Sequence, residues 1–139
     1  RPGLPETLET ADLLAAAGIE YVADWVLYDQ PLRIRTRKGR LISVPYTVEI
    51  NDVVLSAVQL QPSDEIFRRG RDQFDRLYKD GATAPRVMAI SIHPYLTGAP
   101  HRIGYLEQLY DYILGKDGVV MWTGAEILDW YLSQTGQAG

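Results

Sequence analysis

The chain has 139 residues, a formal net charge of −4, and 46% hydrophobic and 23% charged residues. That length supports one ordinary core, and the composition excludes a disordered chain or a basic nucleic-acid groove. The absence of cysteine excludes disulfides, thiolate metal sites and cysteine nucleophiles, and no apolar run approaches the roughly 20 residues of a membrane span.

The opening Arg1-Pro2-Gly3-Leu4-Pro5 has no starting methionine and no basic-then-apolar signal. It fits a processed or partial chain, and the expected location is cytoplasmic, with neither a membrane nor a nucleic acid as partner. The chain reads as one domain over 1–139. A first helix is predicted from Ala11 to Ala17, with Thr10 as N-cap and Gly18 as the stop. A short buried strand follows from Ile19 to Ala23 and ends in Asp24-Trp25. Leu32–Thr36 and Leu41–Val44 flank Lys38-Gly39 as a hairpin, glycine supplying the positive φ of the turn. Arg33, Arg35 and Arg37 then share one strand face. They read either as a solvated, pairing-resistant edge or as an anion or polysaccharide contact.

Tyr46–Ile50 is expected as a strand with Asn51-Asp52 just past its end. A second helix is expected to start at Ser63, with Gly81 after its end. Ile66, Phe67, Phe74, Leu77 and Tyr78 form its apolar face. Val87–Ile92 reads as a strand that stops at His93-Pro94. A third helix is expected from about Arg102, with Ile103, Leu106, Leu109, Tyr110, Ile113 and Leu114 on one stripe. Val119–Trp122 reads as a last strand. Thr123 and Glu126 have the spacing of a capping box for the final helix.

This order defines the class as α/β, with mostly parallel strands and a hairpin insertion. Loops converge at the C-terminal ends of parallel strands, and Asp24, Asn51-Asp52 and His93 all fall there. His93 is a candidate general acid or base, because a histidine at a strand end can be partly desolvated with one nitrogen free. It also reads as a strand-end histidine bonded to the backbone. Asp24 could orient an imidazole and Trp25 could wall a sugar-sized pocket; a turn aspartate beside a core tryptophan is the plainer account. Asn51-Asp52 reads equally as a turn former. His101 lies eight positions from His93 across a Gly/Pro loop. That spacing matches no compact metal motif, so no metal ligands are assigned. No serine elbow, P-loop or dinucleotide fingerprint occurs.

Several segments together resemble one family. They are Glu6–Gly18 running on to Tyr21-Val22-Ala23-Asp24-Trp25, Val44–Asp52, Ile90-Ser91-Ile92-His93-Pro94, Gly98-Ala99-Pro100-His101-Arg102-Ile103, Asp117-Gly118-Val119 and Thr123–Ile127. They resemble the polysaccharide deacetylase family, in the branch of peptidoglycan-deacetylase-like proteins and metal-independent allantoinases. The resemblance implies a partial (β/α) barrel, the C-terminal portion of one, that hydrolyses an amide, usually an N-acetyl group on a carbohydrate. It implies His93 as the proton donor, supported by Asp24. Trp25, Asn51, Asp52 and His101 are then the substrate-binding residues, and Arg1 matches an arginine that orients the family's catalytic aspartate. The T-F-D-D and H-x-x-x-H motifs, which supply the family's base and metal ligands, are absent, and Tyr28 stands where a second acidic residue is expected.

The expectation is therefore no cofactor in this chain itself, with a divalent metal such as zinc only alongside a preceding segment. Partners are a carbohydrate or small amide substrate and either a second copy or that segment. Two alternatives stand beside the deacetylase reading: a non-catalytic carbohydrate-binding or interaction domain, and a metal-independent allantoinase-like amidohydrolase.

Overall fold

The computed structural model describes residues 6–136, so Arg1 lies outside the described residues. They divide into two compact units, one built from the segments up to Tyr46 and from Trp122 onward, the other from Thr47–Met121. No helix among the described residues is long and apolar enough to cross a membrane.

The first unit is an α/β arrangement around three short strands. Helix α1 spans Thr10–Ala16, followed by β1 (Tyr21–Val22), β2 (Leu32–Ile34) and β3 (Leu41–Ser43). The sheet order is β1-β3-β2, with β1 parallel and β2 antiparallel to β3. The expected hairpin is present, and Gly39 takes φ +74° in its loop. Thr10 is the first helical residue and not the cap; its Oγ1 instead accepts from the Thr7 amide at 3.0 Å. The strand expected over Ile19–Ala23 shrinks to two residues, because Ile19 is exposed and only Tyr21 and Val22 pair with Ile42 and Ser43. Ala15, Val22, Ile34 and Leu41 form one apolar cluster, with Trp25 packed against it. Helix α4 (Gly124–Gln134) packs Leu128 and Leu132 on Ile42, and its expected capping box is present in both directions.

The second unit is held by helices. Helix α2 spans Glu65–Gly81 and α3 spans Pro100–Leu114, opening on proline, whose missing N–H costs nothing in the first turn. Ser63 does not cap α2: the helix starts two residues later and has no side-chain cap. Phe74, Leu109 and Ile113 make one cluster and Leu55, Ile66 and Leu106 another. Gly70 lets the helices close together, since a Cβ there would lie 2.5 Å from Leu109 Cδ2.

Three predicted strands fail to form. Val48–Ile50 is a 3-10 turn, and the Thr47 hydroxyl accepts the Ala89 amide (3.1 Å) where a ladder bond was expected. Val87–Ile92 keeps a single parallel bridge, Asn51 to Ser91. Val119–Trp122 is irregular, with Val120, Met121 and Trp122 exposed. Val54–Val58, which no periodicity announced, forms one wide π-helical turn.

Candidate functional site

The lone parallel bridge of the second unit does more for the site than its size suggests. The Ser91 amide donates to the Ile50 carbonyl and the Asp52 amide donates to the Ser91 carbonyl, each at 3.0 Å. Two segments are therefore held side by side, and the residues just past the bridge, Asp52 and His93, are brought together from 41 positions apart.

Past Asp52 the chain turns at once, because the Asn51 side-chain oxygen accepts from the amides of Val53 (2.9 Å) and Val54 (3.4 Å). That is the turn-forming role asparagine fills readily. Past His93, proline ends the extended stretch, and the amides of Leu96 and Thr97 fold back onto the His93 carbonyl at 2.9 and 3.0 Å. Gly98 closes this loop so tightly that a Cβ would lie 2.3 Å from the Pro94 carbonyl oxygen.

Asp52 is 3% exposed and both its oxygens are engaged. Oδ1 meets His93 Nδ1 at 2.7 Å, while Oδ2 accepts from the His93 amide and the Thr97 hydroxyl, each at 2.6 Å. Burial pushes the Asp52 carboxyl up. Bonds from the Thr97 hydroxyl, the His93 amide and the His93 ring outweigh it and hold the group below its usual range. An ionised carboxylate can only accept, so the hydrogen bond assigns a proton to Nδ1 and leaves Nε2 to exchange protons. The imidazole is 41% exposed and sits edge-on to Tyr95, with ring centroids 5.6 Å apart.

Behind this network lies a small cleft lined by Asp52, Leu55, Ser56, Ser63, Thr97 and Arg102. Arg102 Nε is buried there with no hydrogen-bond partner.

Asp24 and Trp25 follow β1 in the first unit, and Trp25 donates its indole N–H to Glu6 at 2.8 Å. The carboxylate on the imidazole is that of Asp52. His101 is exposed in the first turn of α3. Tyr28 is half exposed. Arg37 is bound through its amide and guanidinium to Asp12, at 2.6 and 2.7 Å, while Arg33 and Arg35 are exposed. Thr97 went unread in the sequence. Its signal was there, one helical turn after His93 and just before the glycine of the tight loop.

Among the described residues, no three His, Asp or Glu side chains come together to hold a metal ion.

Fold and site together define an α/β protein with a buried carboxylate bonded to a histidine beside a single parallel bridge, and known proteins it is similar to include polysaccharide deacetylases and an allantoinase. No family model matches the chain. A Schizosaccharomyces pombe protein named "Putative polysaccharide deacetylase" is 42% identical over 92 residues, which is 65% of this chain and 28% of that protein. The crystal structure of a "probable Polysaccharide deacetylase" from Pseudomonas aeruginosa PAO1 matches with a TM-score of 0.83 and 29% identity, over 91% of this chain and 44% of that one. PuuE allantoinase matches with a TM-score of 0.84 and 26% identity, over 96% of this chain and 45% of that one. The resemblance carried by the motifs is thus real across nearly the whole chain. The chain spans under half the length of each of these relatives.

Proposed function

We propose that this chain forms part of a (β/α)-barrel hydrolase that cleaves a non-peptide C–N bond of the amide type, taking N-acetyl groups from a carbohydrate. His93 is the proton donor. The observation that carries this reading is the 2.7 Å contact between His93 Nδ1 and the buried Asp52 carboxylate. Once water has added to the amide carbon and the C–N bond breaks, the departing nitrogen needs a proton. Nε2–H of the imidazolium delivers it, while Asp52 keeps hold of Nδ1–H and stabilises the positive ring beforehand. In this reading Asp52 acts through His93 and not on substrate. Asn51 and His101 contact the substrate, a role supported by the family resemblance.

The choice of a carbohydrate amide is supported by the deacetylase relatives. A second reading, an allantoinase-like amidohydrolase, is favoured by the match to PuuE allantoinase over 96% of the chain. The intact protein that carries this chain distinguishes them. Acetate release from N-acetylated oligosaccharides is expected under the first, and ring opening of allantoin under the second. His93→Ala should cut turnover by about 10²- to 10⁴-fold in either case. Turnover unchanged by that substitution would remove His93 from the chemistry. Binding of the oligosaccharide with no hydrolysis would leave a carbohydrate-binding domain.

A further inference from the structure

We propose that Thr97 is a positioning residue, whose hydroxyl holds the plane of the Asp52 carboxylate so that one oxygen faces Nδ1 of the His93 imidazole. The inference rests on the reading of His93 as proton donor and deepens it.

Asp52 has two oxygens and three donors to satisfy, and their division between the oxygens decides where the imidazole points. The His93 amide and the Thr97 hydroxyl both go to Oδ2, at 2.6 Å each, which leaves Oδ1 for Nδ1 alone. A backbone donor cannot be re-aimed without moving the bridged segment that precedes it. The hydroxyl can rotate, but Thr97 is only 3% exposed, and no other side-chain hydrogen bond is made by it. Its proton is thus committed to Oδ2. The two oxygens are equivalent, so a half-turn restores the same bonds; what two donors on one oxygen resist is rotation of the carboxylate out of the plane that aims the other oxygen at Nδ1. One oxygen then stays in line with Nδ1, and the tautomer stays fixed with the proton on Nδ1.

The loop makes the placement possible. The Thr97 amide closes one turn onto the His93 carbonyl at 3.0 Å, which ties threonine and histidine into one turn facing Asp52. The 2.3 Å approach of a Cβ at Gly98 to Pro94 shows how little slack that turn has. Thr97 also supplies the largest of the interactions that keep Asp52 ionised. The hydroxyl therefore secures both the orientation and the charge of the group behind His93.

The test compares Thr97→Val, which keeps the shape and removes the hydroxyl, with Thr97→Ser, which restores it. The readout is the ring-nitrogen NMR spectrum of ¹⁵N-histidine-labelled intact protein at a pH where the ring is neutral, with His93→Gln used to assign the signal. The native protein and Thr97→Ser should show the Nδ1–H form. Thr97→Val should shift His93 toward a mixture containing the Nε2–H form. A kcat lowered by roughly tenfold with KM held is expected alongside, within the 10²-fold that a misplacement of about 1 Å can cost. A His93 spectrum unaltered by Thr97→Val would overturn the proposal. A changed spectrum in a protein that hydrolyses no amide would overturn the catalytic reading and leave the positioning role standing. If Thr97→Val does not fold, the native hydroxyl proton decides. It is expected as a slowly exchanging resonance, and exchange at the solvent rate would overturn the proposal.

Discussion

In the first unit, backbone ladders and apolar packing set the positions of residues: β3 takes a partner on each side, and Leu41 and Ile42 are fully buried within it. In the second unit the only strand pairing among the described residues is the bridge at Asn51 and Ser91, and polar side chains finish the work at the strand ends. Thr47 takes a backbone amide with its hydroxyl, Asn51 caps a turn, and Asp52 gathers two N–H groups and a hydroxyl. The difference teaches where substitutions should be read. A change in the first unit should register as stability, because dispersion and burial hold it. A polar change at the Asp52 network should register at His93, because directed hydrogen bonds hold it.

The largest break in stability is expected at Leu41→Ala. The side chain is fully buried beside Ala15, Val22 and Ile34, so truncation should cost about 2–5 kcal/mol. Denaturant unfolding checks it. A cost below about 1 kcal/mol would mean that the cluster collapses around the vacancy and that packing does not hold this unit.

The polar side of the comparison is sharpened by acid. The Asp52 carboxyl is held below its ordinary value in the folded protein, so it binds fewer protons there than in the unfolded chain. Stability then rises with pH across that interval. The contribution is fully present above the ordinary aspartate value of about 4 and is lost as pH falls through the lowered folded value. Asp52→Asn should flatten this acid limb of the stability curve. The same substitution puts an amide N–H₂ or an uncharged oxygen opposite three donors, for a cost of about 1–3 kcal/mol at neutral pH. An acid limb of unchanged slope would show that other carboxylates govern it.

How much of this was legible in the sequence follows the same division. The hairpin was readable because Gly39 and the flanking runs specify it locally, and α2 and α3 because an apolar stripe belongs to one helix at a time. Val87–Ile92 and Val119–Trp122 were misread, since an apolar run states a tendency to be buried but names no partner to pair with. A strand exists only through its neighbour. Likewise His93 and Asp52 were each visible at a strand end, yet their pairing spans 41 positions and no local pattern encodes it. Asp24, also at a strand end and beside a tryptophan, looked the better partner for the imidazole on resemblance alone. Thr97 was overlooked because threonine carries no catalytic signature; its meaning comes entirely from the buried carboxylate it faces.

The smallest effect is expected at the start of α4, where both kinds of holding meet. The Thr123 hydroxyl accepts the Glu126 amide at 3.3 Å, while the Thr123 amide and hydroxyl donate to Glu126 Oε2 at 2.6 and 2.8 Å. The Thr123 amide, followed by its hydroxyl, holds the Glu126 carboxyl below its usual range. Immediately inside the helix, Gly124 lies against the Tyr21 ring so closely that a Cβ would approach it to 2.6 Å. The capping box therefore fixes the entry angle of a helix whose Leu128 and Leu132 reach Ile42. Thr123→Ala should cost about 1 kcal/mol, the ordinary price of a lost N-cap. It should also speed hydrogen exchange at the Glu126 amide ahead of the rest of the helix. Exchange that rises evenly along α4 would instead mean that the apolar face, and not the cap, sets where the helix begins.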